Sequence, residues 1–373
     1  MPWGNVAIAM DRGGTEDDSK LLAAAADAGL SLRAINGRCF WAHEEVPDCS
    51  AFAVRGTPSQ GLGGYATRNF KRGECILTEQ PLLHWKVAKG DAITHEGVEA
   101  LLAAHSETAQ RNFWTLSQNA AHGTVKHAFG IWLTNAYPTD GSNETSTERS
   151  SAVFTHICRL NHSCSPNLHC SWNASLGAQT VYALCDIESG TELTVSYLPT
   201  LEQPRDARRS ALQAGFGFIC NCIACSLSGE GLAASERRRA RLESLDTEMR
   251  AAADPSRLAD AMRSAMASGA DFRTPAGQQR LRALQKRLRS EGIALVEERL
   301  SLLEKEGGVH AARAWSTLEA AARLCNMLGD AAEASRWNAK AAKCALLALG
   351  RESVDFARYA ELMRAGSAGG KKA

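Results

Sequence analysis

Three cysteines lie within six residues, in the run Cys220-Asn-Cys222-Ile-Ala-Cys225. Thiolates at such short spacing can hold a metal ion, and structural zinc sites use four such ligands. The residues Met1–Met10 lack the basic region of a secretory signal, so a reducing compartment is expected. There the crowding indicates a metal site rather than disulfide bridges, and ordinary buried thiols are the alternative.

Three further stretches contain residues that could do chemistry. The run Asn-His-Ser-Cys-Ser-Pro-Asn over 161–167 offers amide and imidazole groups that bind ligands or simply hold turns. Tyr197 ends a predicted strand over 192–197 and is either a reactive phenol or a packing residue. The Gly-rich run 61–66 permits close approach of a ligand to backbone, although a plain turn is the alternative.

The surrounding pattern changes from strands to helices along the chain. Short strands are predicted at 51–54, 65–66, 75–77 and 180–184, with helical spacing over 93–136 and a polar loop over 138–150. After Ser226 the chain is Ala-rich, with helices predicted near 232–252, 255–268, 276–304, 309–328, 331–348 and 353–364. The pair 311–328 and 331–349 has the length of one tetratricopeptide-like hairpin.

Composition excludes several classes of protein. The chain has 373 residues, is 45% hydrophobic, and has 42 Lys plus Arg against 41 Asp plus Glu, a formal net charge of +1. That balance argues against a strongly basic nucleic-acid wrapper and leaves Arg237–Arg239 as a local basic patch. The apolar runs fall short of the ~20 residues that span a bilayer.

Taken together, these motifs resemble the SET-domain family of protein lysine methyltransferases over residues ~50–226. The closest resemblance is to the SET-and-MYND branch and the fungal-type SET proteins. No second cluster of Cys and His lies between Leu83 and Ser150, so the MYND zinc module is absent. The resemblance implies an α+β fold: a SET-domain β-fold of short strands with a pseudoknot, a helical insertion, a zinc-binding post-SET segment and an all-α C-terminal domain.

The predicted organisation has four parts. An N-terminal extension covers 1–37, and a SET domain covers 38–226, with a helical insertion and loop at 85–150 and the post-SET zinc segment at 215–226. A helical domain, tetratricopeptide-like in part, covers 231–365. The tail 366–373 is Gly-, Ser- and Lys-rich and is expected to be disordered.

The resemblance also assigns the site residues. The catalytic residue is Tyr197. The residues that bind the cofactor S-adenosyl-L-methionine are Gly61, Gly63, Tyr65, Asn135, Asn161, His162 and Phe218. The zinc ligands are Cys164, Cys220, Cys222 and Cys225. Phe216 lies where the SET-and-MYND branch commonly has a channel tyrosine, so the number of methyl groups added stays open.

The predicted activity is methyl transfer from S-adenosyl-L-methionine to a lysine side-chain amine of a histone or non-histone protein. Lysine must be neutral to attack, although its ordinary pKa is about 10.4, and an apolar channel lowers that value. The alternative is an inactive SET-like module that acts as a scaffold through its C-terminal helices, which also offer a surface for a protein partner. We expect a cytoplasmic or nuclear protein that is not secreted, binds no membrane and has no direct nucleic-acid contact.

Overall fold

The computed structural model describes residues 30–35, 38–43, 51–57, 61–88, 91–139, 148–307, 310–353, 356–359 and 361–362. The chain divides into two compact units, Met1–Pro199 with Asp206–Cys225, and Thr200–Arg205 with Ser226–Ala373. Apart from a strand at Leu30–Ile35, the predicted extension 1–37 lies outside the described residues, as does the tail 366–373.

Short strands run through the described part of the first unit. They are β1 Leu30–Ile35, β2 Arg38–His43, β3 Phe52–Thr57, β4 Gly61–Ala66, β5 Cys75–Glu79, β6 Leu83–Ala88, β7 Tyr137–Pro138, β8 Glu148–Val153, β9 Asn161–His162, β10 Leu168–Asn173, β11 Ala178–Ala183 and β12 Glu192–Val195. They form four small sheets, with orders β1-β2, β10-β11-β5, β3-β4-β12-β9 and β6-β8-β7. The polar loop predicted through residue 150 is therefore wrong at its end, because β8 pairs there with β6.

The sheet β3-β4-β12-β9 positions the candidate site. Strand β12 runs antiparallel to β4 and parallel to β9, which places Thr194 opposite Asn161 and Val195 opposite His162. Asn167 secures this crossing, because its side chain donates to the Glu192 carbonyl at 2.8 Å and accepts from the Thr194 N–H at 2.8 Å. Two short segments far apart in sequence are thus held side by side.

Three helices follow β6 and precede β7 in the sequence: α1 His95–Ala103, α2 Glu107–Trp114 and α3 Ala128–Asn135. The side chains of Thr94, Ser106 and His127 accept hydrogen bonds from backbone N–H groups in the first turns, which fixes where each helix begins. Their apolar faces form a core around Phe113, Ile131, Trp132 and other buried residues. That core holds the end of α3 against the strands.

A fourth helix, α4 Arg205–Phe216, was not predicted from the sequence. The buried side chains on it are Arg208 and Leu212, so it lacks the apolar periodicity that indicates a helix. The helix ends at Phe216, and Gly217 follows with φ 74°, a conformation that favours glycine. An added Cβ at Gly217 would lie 2.4 Å from the Asn119 side-chain oxygen, so the chain turns here because residue 217 has no side chain.

The second unit is helical in the part that the structure describes. Its helices are α5 Gly229–Ala252, α6 Pro255–Ala267, α7 Pro275–Lys305, α8 His310–Met327 and α9 Ala331–Leu349. They match the first five predicted helices within a few residues, and the sixth, 353–364, lies partly outside the described residues. Small buried residues such as Ala321, Ala341 and Ala345 let α8 and α9 pack as a close hairpin. Among the described helices, none has the length and apolarity needed to cross a bilayer.

Candidate active site and metal centre

A pocket of about 40 Å³ lies where β4, β9, the end of α3 and the segment after α4 meet. Its lining residues are Leu62, Ser117, Thr134, Asn135, Cys158, Arg159, Asn161, Tyr197, Phe216 and Phe218. Four predicted site residues, Tyr197, Asn135, Asn161 and Phe218, are therefore brought together. Gly61, Gly63, Tyr65 and His162 are not part of this lining.

The Tyr197 phenol is held in a defined direction. Its hydroxyl donates a 2.7 Å hydrogen bond to the Leu160 carbonyl, and its backbone N–H donates to His162 Nδ1 at 3.0 Å. Burial raises the pKa of Tyr197 above its ordinary value, so the hydroxyl stays protonated at neutral pH. A phenol fixed in this way can present its lone pairs to a ligand.

Aromatic rings surround this phenol. The Phe216 ring centroid lies 4.8 Å from that of Tyr197, and the Phe218 ring lies 6.5 Å away, nearly perpendicular. The His162 ring lies 5.4 Å from Tyr197 and 6.2 Å from Phe218. These rings make an apolar wall that excludes water from one side of the pocket.

The side-chain amide of Asn161 makes hydrogen bonds within the protein. Its Nδ2 group donates to the Leu62 carbonyl at 3.1 Å and to Glu192 Oε1 at 2.9 Å, and the side chain is buried. These bonds tie the Gly-rich strand β4 to β9. Asn161 thus shapes the pocket through its donors, whatever its side-chain oxygen binds.

Asn135 is fixed in a similar way at the end of α3. Its Nδ2 group donates to the Ser117 carbonyl at 2.6 Å and to the Ile131 carbonyl at 2.7 Å. Nearby in the sequence, the Asn119 side-chain amide donates to the Gly215 carbonyl at 3.0 Å. The helical insertion therefore contacts the segment that carries Phe216 and Phe218.

Tyr65 lies away from these groups. On β4 it pairs with Glu192 of β12, and the Arg55 guanidinium lies 5.8 Å from its ring. Burial raises the pKa of the Tyr65 hydroxyl, with Glu192 adding to that effect. A direct contact of Tyr65 with a cofactor stays a prediction.

The four predicted metal ligands converge. The sulfur atoms of Cys164, Cys220, Cys222 and Cys225 all lie within 4.8 Å of one another, and the Sγ atoms of Cys164 and Cys225 are 3.6 Å apart. A tetrahedral zinc with bonds of about 2.3 Å requires sulfur atoms about 3.8 Å apart, so the arrangement fits that ion. Hydrogen bonds among the four sulfur atoms lower the pKa of Cys222 and Cys225 and raise that of Cys164 and Cys220, so two of the four groups favour the thiolate that a metal binds.

His162 connects this cluster to Tyr197. Because Nδ1 accepts the Tyr197 N–H, the ring proton lies on Nε2, which is 3.3 Å from Cys164 Sγ and donates to it. Burial lowers the pKa of His162 to about 4, so the ring is neutral at pH 7. One imidazole thus bridges a cluster sulfur and the backbone of the candidate catalytic residue.

Helix α4 supplies residues near the cluster that the sequence reasoning missed. Arg209 donates from Nε to the Cys220 carbonyl at 3.0 Å and from a terminal nitrogen to the Cys225 carbonyl at 3.1 Å. The guanidinium of Arg208 lies 3.7 Å from Cys225 Sγ. The pair Arg208-Arg209, 11 positions before Cys220, is the sequence signal that could have indicated this role.

Comparison with known proteins identifies one domain of this chain. Residues 61–198 match the family model described as the SET domain. The chain carries a SET domain. The resemblance derived from the Asn-His-Ser-Cys-Ser-Pro-Asn run and its partners is confirmed, and so is the mixed fold of short strands and helices.

The chain is similar to several curated proteins. Histone-lysine N-methyltransferase set5 of Schizosaccharomyces pombe is 32% identical over 193 residues, 52% of this chain and 56% of that protein. Histone-lysine N-methyltransferase ATXR4 of Arabidopsis thaliana is 40% identical over 74 residues, 20% of this chain and 22% of that protein. N-lysine methyltransferase SMYD2 of Homo sapiens is 30% identical over 97 residues, 26% and 22% of the two chains. The chain thus spans a little over half of the first relative and about a fifth of the other two.

Within the SET domain, Glu79 is a further residue that no motif indicated. Its carboxylate accepts hydrogen bonds from the backbone N–H groups of Thr155 at 2.8 Å, His156 at 2.9 Å and Ile157 at 2.9 Å. The 3₁₀ turn Ile157–Arg159 begins there and leads directly to the Leu160 carbonyl. A carboxylate 76 residues earlier in the chain therefore fixes the segment that enters β9.

Proposed function

We propose that this chain is a protein-lysine N-methyltransferase that transfers a methyl group from S-adenosyl-L-methionine to a lysine side-chain amine. The observation that supports this most is one pocket, in a matched SET domain, lined by Tyr197, Asn135, Asn161 and Phe218. The methyltransferase names of the relatives agree with it.

The chemistry of the pocket suits the cofactor. S-adenosyl-L-methionine supplies an already activated methyl group on a sulfonium, so the protein has mainly to position the reactants. Asn135 and Asn161 would hold the cofactor beside the Gly-rich strand, and Phe218 would face its aromatic part. The hydrogen bonds that fix both amides to backbone carbonyls keep these residues pre-organised.

The aromatic wall serves the incoming lysine. A charged ammonium is disfavoured beside Tyr197, Phe216 and Phe218, so the neutral amine with its free lone pair becomes more populated. The Tyr197 oxygen, directed by its bond to the Leu160 carbonyl, orients the amine and the methyl group through weak C–H···O contacts. Since Phe216 lacks a hydroxyl, Tyr197 supplies the phenol on this face of the pocket.

We also propose that Cys164, Cys220, Cys222 and Cys225 bind one structural zinc ion. Such an ion would join the segment after α4 to the loop that follows β9, because the four ligands come from both. It would therefore hold Phe216 and Phe218 in the pocket wall. The substrate would be a histone or another protein, in the nucleus or cytoplasm, because relatives carry histone-lysine and N-lysine methyltransferase names.

A methyl-transfer assay tests the activity. The full chain is incubated with S-adenosyl-L-methionine labelled at the methyl group and with lysine-containing peptides covering histones and other proteins. Mass spectrometry then locates the methyl group. The expected product is methyl-lysine on some of these peptides. Label on another residue type, or no transfer by a protein that binds the cofactor, would contradict the proposal.

A further inference from the structure

The pocket contains a charged residue to which the motifs assign no role. Among the lining residues in the described part of the chain, Arg159 is the one with a formal charge at neutral pH. Its exposure is 7%. Burial lowers the pKa of Arg159 to about 10, so the guanidinium is still charged at neutral pH.

Neutral acceptors hold this guanidinium. Its Nε donates to the Thr155 carbonyl at 3.3 Å, one terminal nitrogen donates to the Thr115 carbonyl at 3.1 Å, and the other donates to the Thr115 hydroxyl. A guanidinium has five N–H donors, so these three bonds leave two for another acceptor. The side chain is fixed in place without being saturated.

A counter-charge is missing at this position. No carboxylate of the described residues lies within 4.0 Å of the Arg159 nitrogens. Glu79 acts on Arg159 electrostatically from farther away, but its oxygens accept the N–H groups that begin the 3₁₀ turn. The nearby Lys126 adds a second positive group. Since buried charges in proteins are normally paired, the site calls for an anion from outside the chain.

We propose that Arg159 binds the α-carboxylate of S-adenosyl-L-methionine. This proposal rests on the proposed function, and it assigns the residue that recognises the cofactor's amino-acid end. The carboxylate is the cofactor's anionic group, whereas its ammonium and sulfonium groups are cations that a guanidinium repels. The two N–H groups that Thr115 and Thr155 leave free can donate charge-assisted hydrogen bonds to a carboxylate oxygen, so Arg159 sets where the cofactor's amino-acid end lies.

A pair of ligands that differ in the carboxylate alone tests this. Isothermal titration calorimetry on the full chain compares S-adenosyl-L-methionine with decarboxylated S-adenosylmethionine. We expect the wild-type protein to bind the complete cofactor at least tenfold more tightly. Arg159→Met should abolish most of that preference by weakening the complete cofactor, while the affinity for the decarboxylated analogue stays within about twofold.

Two variants control for the structural role of Arg159. Thr115→Val removes the hydroxyl that Arg159 contacts but retains the guanidinium, so the preference for the complete cofactor should persist. Arg159→Lys retains a positive charge, but its three N–H donors only equal the number of acceptors on Thr115 and Thr155 that Arg159 now satisfies. We therefore expect its preference for the complete cofactor to be at least threefold smaller than in wild type. If Arg159→Met does not fold, the test rests on Arg159→Lys. A wild-type ratio of affinities for the complete and the decarboxylated cofactor in that variant would overturn the proposal.

The remaining outcomes separate this proposal from its rivals. Equal weakening of both ligands in Arg159→Met would make Arg159 a structural clamp on Thr115 and overturn the proposal. Unchanged cofactor affinity with a raised pH optimum for methylation would mean that Arg159 acts on the substrate amine, which also overturns it. If wild-type protein binds neither ligand, the proposed function fails as well, a result that differs from failure of the Arg159 assignment alone.

Discussion

At the residue scale, the donors of Asn161 explain why an asparagine stands at that position. From β9, its amide donates to the Leu62 carbonyl of β4 and to the Glu192 carboxylate of β12, so three strands are joined beside the pocket. The motif at 161–167 singled out Asn161 and His162, and the stretch that ends at Tyr197 singled out that phenol. Neither motif could predict the bond of Tyr197 to the Leu160 carbonyl, the contacts of Glu79 with residues 155–157 or those of Arg159 with Thr115, because these contacts form when segments distant in sequence meet.

We predict that Asn161→Ala weakens S-adenosyl-L-methionine binding by at least tenfold, about 1.4 kcal/mol. The substitution removes the bond that holds Leu62 at the pocket and leaves the Glu192 carboxylate without this donor. Calorimetric titration measures the affinity. Asn173→Ala is a matched control, because Asn173 is a buried asparagine outside the pocket lining. Equal affinities of wild type and Asn161→Ala would mean that this residue does not shape the cofactor site.

At the element scale, helix α4 and the cysteine segment after it form one supporting structure. The sequence predicted the cluster, because the spacing of Cys220, Cys222 and Cys225 is local. It did not predict α4, in which Arg208 occupies a buried position that normally holds an apolar residue. The helices α6, α7 and α9 were easier to predict, since capping residues such as Asp254, Thr274 and Asp330 mark where each begins.

Zinc content tests the cluster. The purified protein should contain about one zinc per chain. Cys164→Ser and Cys222→Ser should each lose both the metal and cofactor binding, since the ion would join two segments that line the pocket. Elemental analysis gives the metal content, and Cys75→Ser, at an exposed cysteine outside the cluster, should change neither property. Active protein without zinc would refute the metal assignment.

The role of α4 can be tested at Arg209. Arg209→Ala removes the hydrogen bonds to the Cys220 and Cys225 carbonyls, so we predict that zinc affinity falls by about 10- to 100-fold. Competition with a chromophoric chelator measures this affinity. Gln213→Ala, at an exposed side chain of the same helix, should leave it unchanged. Equal zinc affinities of Arg209→Ala and Gln213→Ala would mean that Arg209 does not support the metal site.

At the scale of the whole molecule, the first unit should respond to acid through the buried His162 and the half-buried His169. Burial lowers the pKa of both His162 and His169 to about 4, below the ordinary value of 6.5. The unfolded chain therefore binds more protons than the folded one between pH 6.5 and 4. Stability is full above pH 6.5 and is lost as the pH falls through this range.

Chemical denaturation at several pH values measures this dependence. We predict that the free energy of unfolding decreases between pH 7 and pH 4.5, and that His169→Asn makes the decrease smaller, because one titrating group is removed. His95→Asn is the control, since His95 is an exposed histidine in the same unit. If His169→Asn and wild type show the same pH dependence, burial of His169 does not contribute to acid sensitivity.

The two units differ in how far their sequences predict them. The helical hairpin α8–α9 can be predicted from the spacing of its small and apolar residues, because the two helices that contact each other are consecutive in the sequence. The SET domain depends on pairings such as β9 with β12, which join residues more than 30 positions apart. Its fold was predicted through resemblance of motifs, whereas the sheet order and the contacts of α4 required the structure.

The central claim is that the Tyr197 hydroxyl accelerates methyl transfer and is not only a packing group. Single-turnover kinetics of Tyr197→Phe test this claim most directly. The variant keeps the ring among Phe216, Phe218 and His162 but lacks the hydroxyl that donates to the Leu160 carbonyl. We predict that S-adenosyl-L-methionine binds within a few-fold of wild type while the rate of methyl transfer to a validated lysine peptide falls by about 10²- to 10³-fold. A wild-type transfer rate in Tyr197→Phe, on a substrate that the wild-type protein methylates, would contradict the account.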